Sequence, residues 1–108
     1  MPETKRSGPS RTIPTEMSLD PLPDLILYGR PGCGLCDEAR SLISDLLGAR
    51  RRAGLPVPAL VERNIDTDSA WEHAWFSSIP VVELGSRHLE LATSPARLRR
   101  FLTDALDE

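Results

Sequence analysis

Cys33 and Cys36 are the only cysteines of the chain. They stand three residues apart in GRPGCGLCDEA, residues 29–39. Two thiols at this spacing admit four readings: a redox pair, half of a metal site, a structural disulfide, or coincidence. As a staple the pair is weak, because closing so short a loop yields about 2 kcal/mol in the chain-entropy account. A structural zinc takes four Cys or His ligands, and only His73 and His88 remain, in separate elements. Coincidence is hard to credit beside a helix start and two glycines.

The redox reading draws on what surrounds the thiols. If Cys33 opens a helix, the unsatisfied N–H groups and the helix dipole stabilise its thiolate, so its pKa is expected below the free value of about 8.5. Cys36 then lies on the same face one turn later, close enough to attack a mixed disulfide formed on Cys33. Arg30 adds positive charge, and Asp37 and Glu38 oppose it, so the expected depression is moderate. Gly32 and Gly34 leave the sulfur uncovered and let a substrate backbone come close. Cys33 is therefore the expected nucleophile and Cys36, tucked inside, the resolving thiol.

The elements that must hold this pair are readable from periodicity. LILYG, residues 25–29, is a short apolar run and predicts a buried strand. From Cys33 the pattern turns helical, with Leu35, Ala39, Leu42, Ile43, Leu46 and Leu47 on the apolar face. Arg50, Arg51 and Arg52 suit the negative end of that helix as a solvated cluster, and Gly54 can stop it. Residues 56–65 (PVPALVERNI) predict a second strand. Asp68 predicts the N-cap of a short helix through about Phe76, with His73 on its surface. IPVVEL is a third strand, Gly85-Ser86 a two-residue hairpin turn, and RHLEL a fourth. In SPARLRRFLTDAL, Ser94 caps a last helix and Pro95 takes its first position; Leu98, Phe101, Leu102 and Ala105 form the buried stripe. The order is β-α-β-α-β-β-α, an α/β class. The crossover makes the first two strands parallel and the hairpin adds an antiparallel pair, so helices must flank a four-stranded mixed sheet.

Composition agrees with one small domain. The 108 residues are 40% hydrophobic and 27% charged, with a formal net charge of -3, so no basic footprint for nucleic acid is present. No apolar run reaches the roughly 20 residues of a membrane-spanning helix. Residues 1–22 are rich in proline and small polar types, lack the apolar region of a secretory signal, and are expected as a disordered tail ahead of a domain over 23–108. The expected compartment is the cytoplasm, where lasting structural disulfides are rare. The domain is expected to act as a monomer.

LILYGRPGCGLCDEA, the element order, and Ile79-Pro80 opening the third strand resemble the thioredoxin fold. Within that fold the chain is similar to the small glutaredoxin-like proteins whose redox motif runs C-x-L-C-D-E, over about residues 24–106. The resemblance implies a thiol–disulfide oxidoreductase with a redox-active Cys33–Cys36 disulfide. It also implies a cis-proline at Pro80, whose neighbour Ile79 offers backbone groups to a bound peptide or glutathione, as an added strand does. Gly32, Gly34, Ile79 and Pro80 would then form the substrate groove, and Arg30 matches the basic residue glutaredoxins carry three positions before the first cysteine. No bound cofactor or metal is implied; glutathione is a possible co-substrate, and protein or glutathione mixed disulfides are the expected partners. The chain departs from relatives in three places. Gly32 replaces the thioredoxin tryptophan, Leu27 replaces a buried aspartate, and LATSPARL stands where glutaredoxins carry their Gly-Gly and Cys/Ser-Asp segment. Two other readings stay open: an iron–sulfur or metal carrier holding a cluster through Cys33 thiolates of two chains with glutathione, and a redox-silent interaction domain.

Overall fold

Along β1 (Leu25–Gly29), successive side chains point to opposite faces, and both faces are covered. The computed structural model describes residues 22–107. Apart from Leu22, the expected disordered tail lies outside these residues. After β1 come α1 (Gly34–Arg52), β2 (Leu60–Asn64), a 3-10 turn (Ile65–Thr67), α2 (Ser69–Trp75), β3 (Val81–Leu84), β4 (Arg87–Leu89) and α3 (Pro95–Leu106). The sheet order is β2-β1-β3-β4. β1 is parallel to β2, while the β1/β3 and β3/β4 pairs are antiparallel. This is the α/β, four-stranded mixed sheet flanked by helices that the sequence predicts.

Leu25 and Leu27 pack with Ala39, Ile43 and Leu47 of α1 and Leu98 and Leu102 of α3. Ile26 and Tyr28 turn the other way, toward Trp71 and Trp75 of α2, with Ile65 and Val81. Tyr28 Oη donates to Glu83 Oε1 at 3.0 Å. Burial, and after it this bond, raise the phenol above its ordinary pKa, so it stays a donor. Asp68 and Ser94 cap α2 and α3 as expected, accepting from Ala70 and Trp71 and from Arg97 respectively.

Four expectations need correction. Leu35 is 49% exposed, because the buried face of α1 begins one residue later and runs Cys36, Ala39, Ile43, Leu47, Arg50. The second strand is Leu60–Asn64 rather than residues 56–65: Pro56 and Pro58 cannot donate to a ladder, and Ile65 starts the 3-10 turn. β4 ends at Leu89, since Leu91 takes a left-handed conformation, φ 50°.

Arg50, expected in a solvated cluster, is only 8% exposed. Its Nε donates to Pro56 O at 2.8 Å, and its Nη1 and Nη2 reach Asp107 at 3.2 and 2.6 Å. The helix end places it there. Gly54 N–H donates to Arg51 C=O and Leu55 N–H to Arg50 C=O, a closure that turns the chain back over the Arg50 side chain. Arg50 in turn holds the Asp107 carboxyl below its ordinary pKa, chiefly through those hydrogen bonds. The pair therefore stabilises the fold above the unfolded carboxyl value of about 3.9, and its contribution fades as pH falls through the lower folded value. Asp107→Asn is expected to melt earlier than the parent at pH 7, with the deficit shrinking toward pH 2. A deficit equal at both pH values in calorimetry would count against this account.

Candidate functional site

The β1–α1 junction builds the site. β1 ends at Gly29, residues 30–33 turn the chain, and Cys33 is the N-cap of α1 with extended backbone, φ -95° and ψ 108°. Gly32 makes that turn with φ +78°, a conformation glycine reaches without a Cβ clash. Chain neighbours aside, nothing lies within 4 Å of where a Cβ on Gly34 would stand.

The Sγ of Cys33 accepts the N–H of Cys36 at 3.1 Å. A serine or aspartate oxygen fills this place in most capped helices; here it is the thiol that chemistry would use. In the reduced protein the same N–H, with the helix dipole behind it, favours the thiolate. Cys33 is half-buried and Cys36 is 2% exposed, which separates an accessible sulfur from a sheltered one. The two sulfurs are joined in a disulfide, with the Cα atoms 5.2 Å apart.

Sequence reasoning passed over Gly29. A Cβ there would stand 2.9 Å from Cys36 Sγ and 3.2 Å from Cys36 Cβ, so β1 can seat the buried thiol only because residue 29 lacks a side chain. A glycine at the end of an apolar strand, four residues before a cysteine, was the available signal.

Beside Cys36 opens a cavity of about 290 Å3, lined by Leu27, Gly29, Gly32, Arg30, Arg40 and Glu62 among others. Arg30, expected to add positive charge at Cys33, donates through its Nη2 and Nε to Asp66 Oδ1 at 2.8 and 3.2 Å. Asp37 is taken by Arg40, at 2.7 Å, and Arg40 also donates to Glu62 at 2.8 Å; these two bonds raise the Arg40 pKa. Arg63 lies 5.1 Å over the Trp71 ring. Leu27, standing where a buried aspartate was discussed, is buried.

Of the four expected groove residues, only Gly32 lines this cavity. Ile79-Pro80 is a cis peptide bond beside the cavity rather than in its lining. Val81 pairs with Tyr28, so Pro80 follows opposite the end of β1, where Gly29 closes on Cys36. Pro80 is fully buried. Ile79 is half-buried, and its backbone N–H and C=O make no hydrogen bond among the described residues. His73 is exposed on α2, and no group of three or more metal-ligating side chains exists among the described residues. No helix among them is long and apolar enough to cross a membrane.

Residues 24–103 match the model of a family described as Glutaredoxin-like domain (DUF836). The X-ray structure of the structural-genomics target protein XcR50 from X. campestris is similar: 31% identity, TM-score 0.59, covering 75% of this chain and 97% of that one. The solution structure of protein Ne2328 from Nitrosomonas europaea matches at 24% identity and TM-score 0.48, over 67% and 76% of the two chains. A search of curated proteins found no match.

Proposed function

Because the chain belongs to the glutaredoxin-like domain family, we propose that it is a thiol–disulfide oxidoreductase working through the Cys33/Cys36 couple in the cytoplasm. The observation that carries this reading is the Cys33 sulfur itself. It caps α1, accepts the Cys36 N–H at 3.1 Å, and is more accessible than its bonded partner.

The chemistry runs as two exchanges. The Cys33 thiolate attacks one sulfur of a substrate disulfide, forming a mixed disulfide and expelling a substrate thiolate, which takes up a proton. Cys36 then loses its proton and attacks the Cys33 sulfur, expelling the second substrate thiolate and closing the Cys33–Cys36 disulfide. The substrate gains two electrons and the protein dithiol loses two; a thiol or dithiol reductant restores the starting state. Arg30 tunes the field at Cys33 with part of its charge shared with Asp66. The Ile79 backbone is the docking edge, through unpaired groups that can take an extended segment as an added strand. Glutathione and protein mixed disulfides are the two candidate substrate classes, and the domain acts as a monomer.

Labelling tests the roles. In the reduced protein, a limiting amount of iodoacetamide at pH 7 is expected to modify Cys33 well before Cys36, read by peptide mass. Earlier modification of Cys36 would reverse the assignment.

A further inference from the structure

Five large apolar side chains are exposed among the described residues: Leu22, Leu35, Leu55, Phe76 and Leu91. Three of them lie on segments that adjoin the β1–α1 junction carrying Cys33. Leu35 follows it by two residues. Leu91 N–H donates to Ser78 C=O at 2.9 Å and Ala92 N–H to Pro80 C=O at 2.8 Å, so the loop after β4 is fastened to the segment from Phe76 to Pro80. That segment enters β3 opposite the end of β1, where Gly29 meets Cys36. Phe76 and Leu91, 58% and 52% exposed, thus lie on two joined segments on the Ile79 side of the thiols.

Leu91 is also the only non-glycine residue with positive φ among the described residues, at 50°. Leucine resists that conformation sterically. Backbone bonds from Leu91 N–H to Ser78 C=O, Ala92 N–H to Pro80 C=O and Thr93 N–H to Leu91 C=O hold it there while its side chain stays exposed, and such outliers cluster at binding sites.

The charges point the same way. The arginines lining the cavity beside Cys36 are engaged: Arg30 by Asp66, Arg40 by Asp37 and Glu62, and Arg63 by the Trp71 ring. Across α1, an open groove of about 530 Å3 against Thr93 and Pro95 is lined by Asp37 and Glu38. A tripeptide carrying two carboxylates meets Asp37 and Glu38 on one side and competes with Asp66, Asp37 and Glu62 for Arg30 and Arg40 on the other. An extended polypeptide has no such requirement. It brings backbone groups to the unpaired N–H and C=O of Ile79 and apolar side chains to the exposed rim.

Resting on the oxidoreductase reading, we infer that the site is shaped for polypeptide disulfides flanked by apolar residues rather than for glutathione mixed disulfides, with Leu91, Phe76 and Leu35 as specificity-determining contacts. The electron balance is that of the two exchanges above, with the polypeptide disulfide as oxidant and a dithiol as the restoring reductant.

Initial rates with dithiothreitol as reductant, corrected for the uncatalysed reaction, test this on insulin and on the glutathione–mercaptoethanol mixed disulfide. The expected kcat/KM is higher for insulin by about tenfold or more, the scale of burying one exposed apolar side chain. Leu91→Gly, which suits the backbone at that position, and Phe76→Ser are each expected to lower the insulin-to-glutathione ratio by about tenfold, mainly through KM for insulin. Leu55→Ser, beyond the far end of α1, leaves the ratio unchanged. A higher kcat/KM for the glutathione disulfide, or a ratio unmoved by both Leu91→Gly and Phe76→Ser, overturns this inference alone. Absence of turnover with both substrates overturns the oxidoreductase reading with it.

Discussion

Cys33→Ser abolishes disulfide turnover, by on the order of a thousandfold or more, whereas Cys36→Ser retains the first exchange and stops at the mixed disulfide. The asymmetry follows from position. Serine keeps the capping bond to the Cys36 N–H, since a hydroxyl is an ordinary N-cap acceptor, so the fold survives Cys33→Ser. What disappears is a nucleophile ionisable near neutral pH. Cys36 is sheltered and cannot take over the first attack. In Cys36→Ser the Cys33 thiolate still meets a substrate, but no second thiol stands one turn away to release it. Non-reducing gels and intact mass are expected to show a stable one-to-one adduct in Cys36→Ser and none in Cys33→Ser. Equal activity of Cys33→Ser and the parent would remove the proposed couple altogether.

How much of this was legible beforehand differs between local and distant features. Cys33 at the head of a helix, Asp68 and Ser94 as caps, and the parallel-then-antiparallel sheet follow from spacing, capping chemistry and crossover handedness, all local rules. What escaped depends on which residues meet across the fold. Arg50 reads as one of three arginines at a helix end; only the turn after Ala53 and the return of α3 bring Pro56 O and Asp107 to it. Arg30 pairs with Asp66, 36 residues away, and no periodicity reports that contact. Leu35 shows the limit of helical patterning at a helix's first turn, where one residue of phase decides which side of the helix faces solvent. Leu91 in a strand-like run looked like β4, and only the bonds tying its loop to Ser78 and Pro80 show the chain leaving the sheet.

Gly29→Ala is expected to damage stability and resolution together, because one methyl group meets the resolving sulfur. A Cβ at residue 29 would lie 2.9 Å from Cys36 Sγ and 3.2 Å from Cys36 Cβ, closer than carbon and sulfur can pack. Cys36 cannot simply rotate away: both its Cβ and its Sγ are in conflict, and it sits on the buried face of α1 with Ala39 and Ile43. Either the first turn of α1 moves off β1 or β1 shifts against its partners, an overpacking cost of about 1–3 kcal/mol. For a domain of this size that corresponds to a fall in melting temperature of roughly 4–8 °C per kcal/mol. Moving the first turn also moves Cys36 relative to a substrate sulfur held on Cys33, and a 1 Å displacement can slow such a reaction by about a hundredfold. The mixed disulfide is therefore expected to accumulate in Gly29→Ala during turnover, as it does to completion in Cys36→Ser, while iodoacetamide still finds Cys33 readily. Gly34→Ala is the matched control for stability alone: chain neighbours aside, its Cβ meets nothing within 4 Å, so it is expected to melt like the parent. A Gly29→Ala protein that melts and resolves like the parent would show that Cys36 is not held in place by the end of β1, and the glycine there would need another explanation.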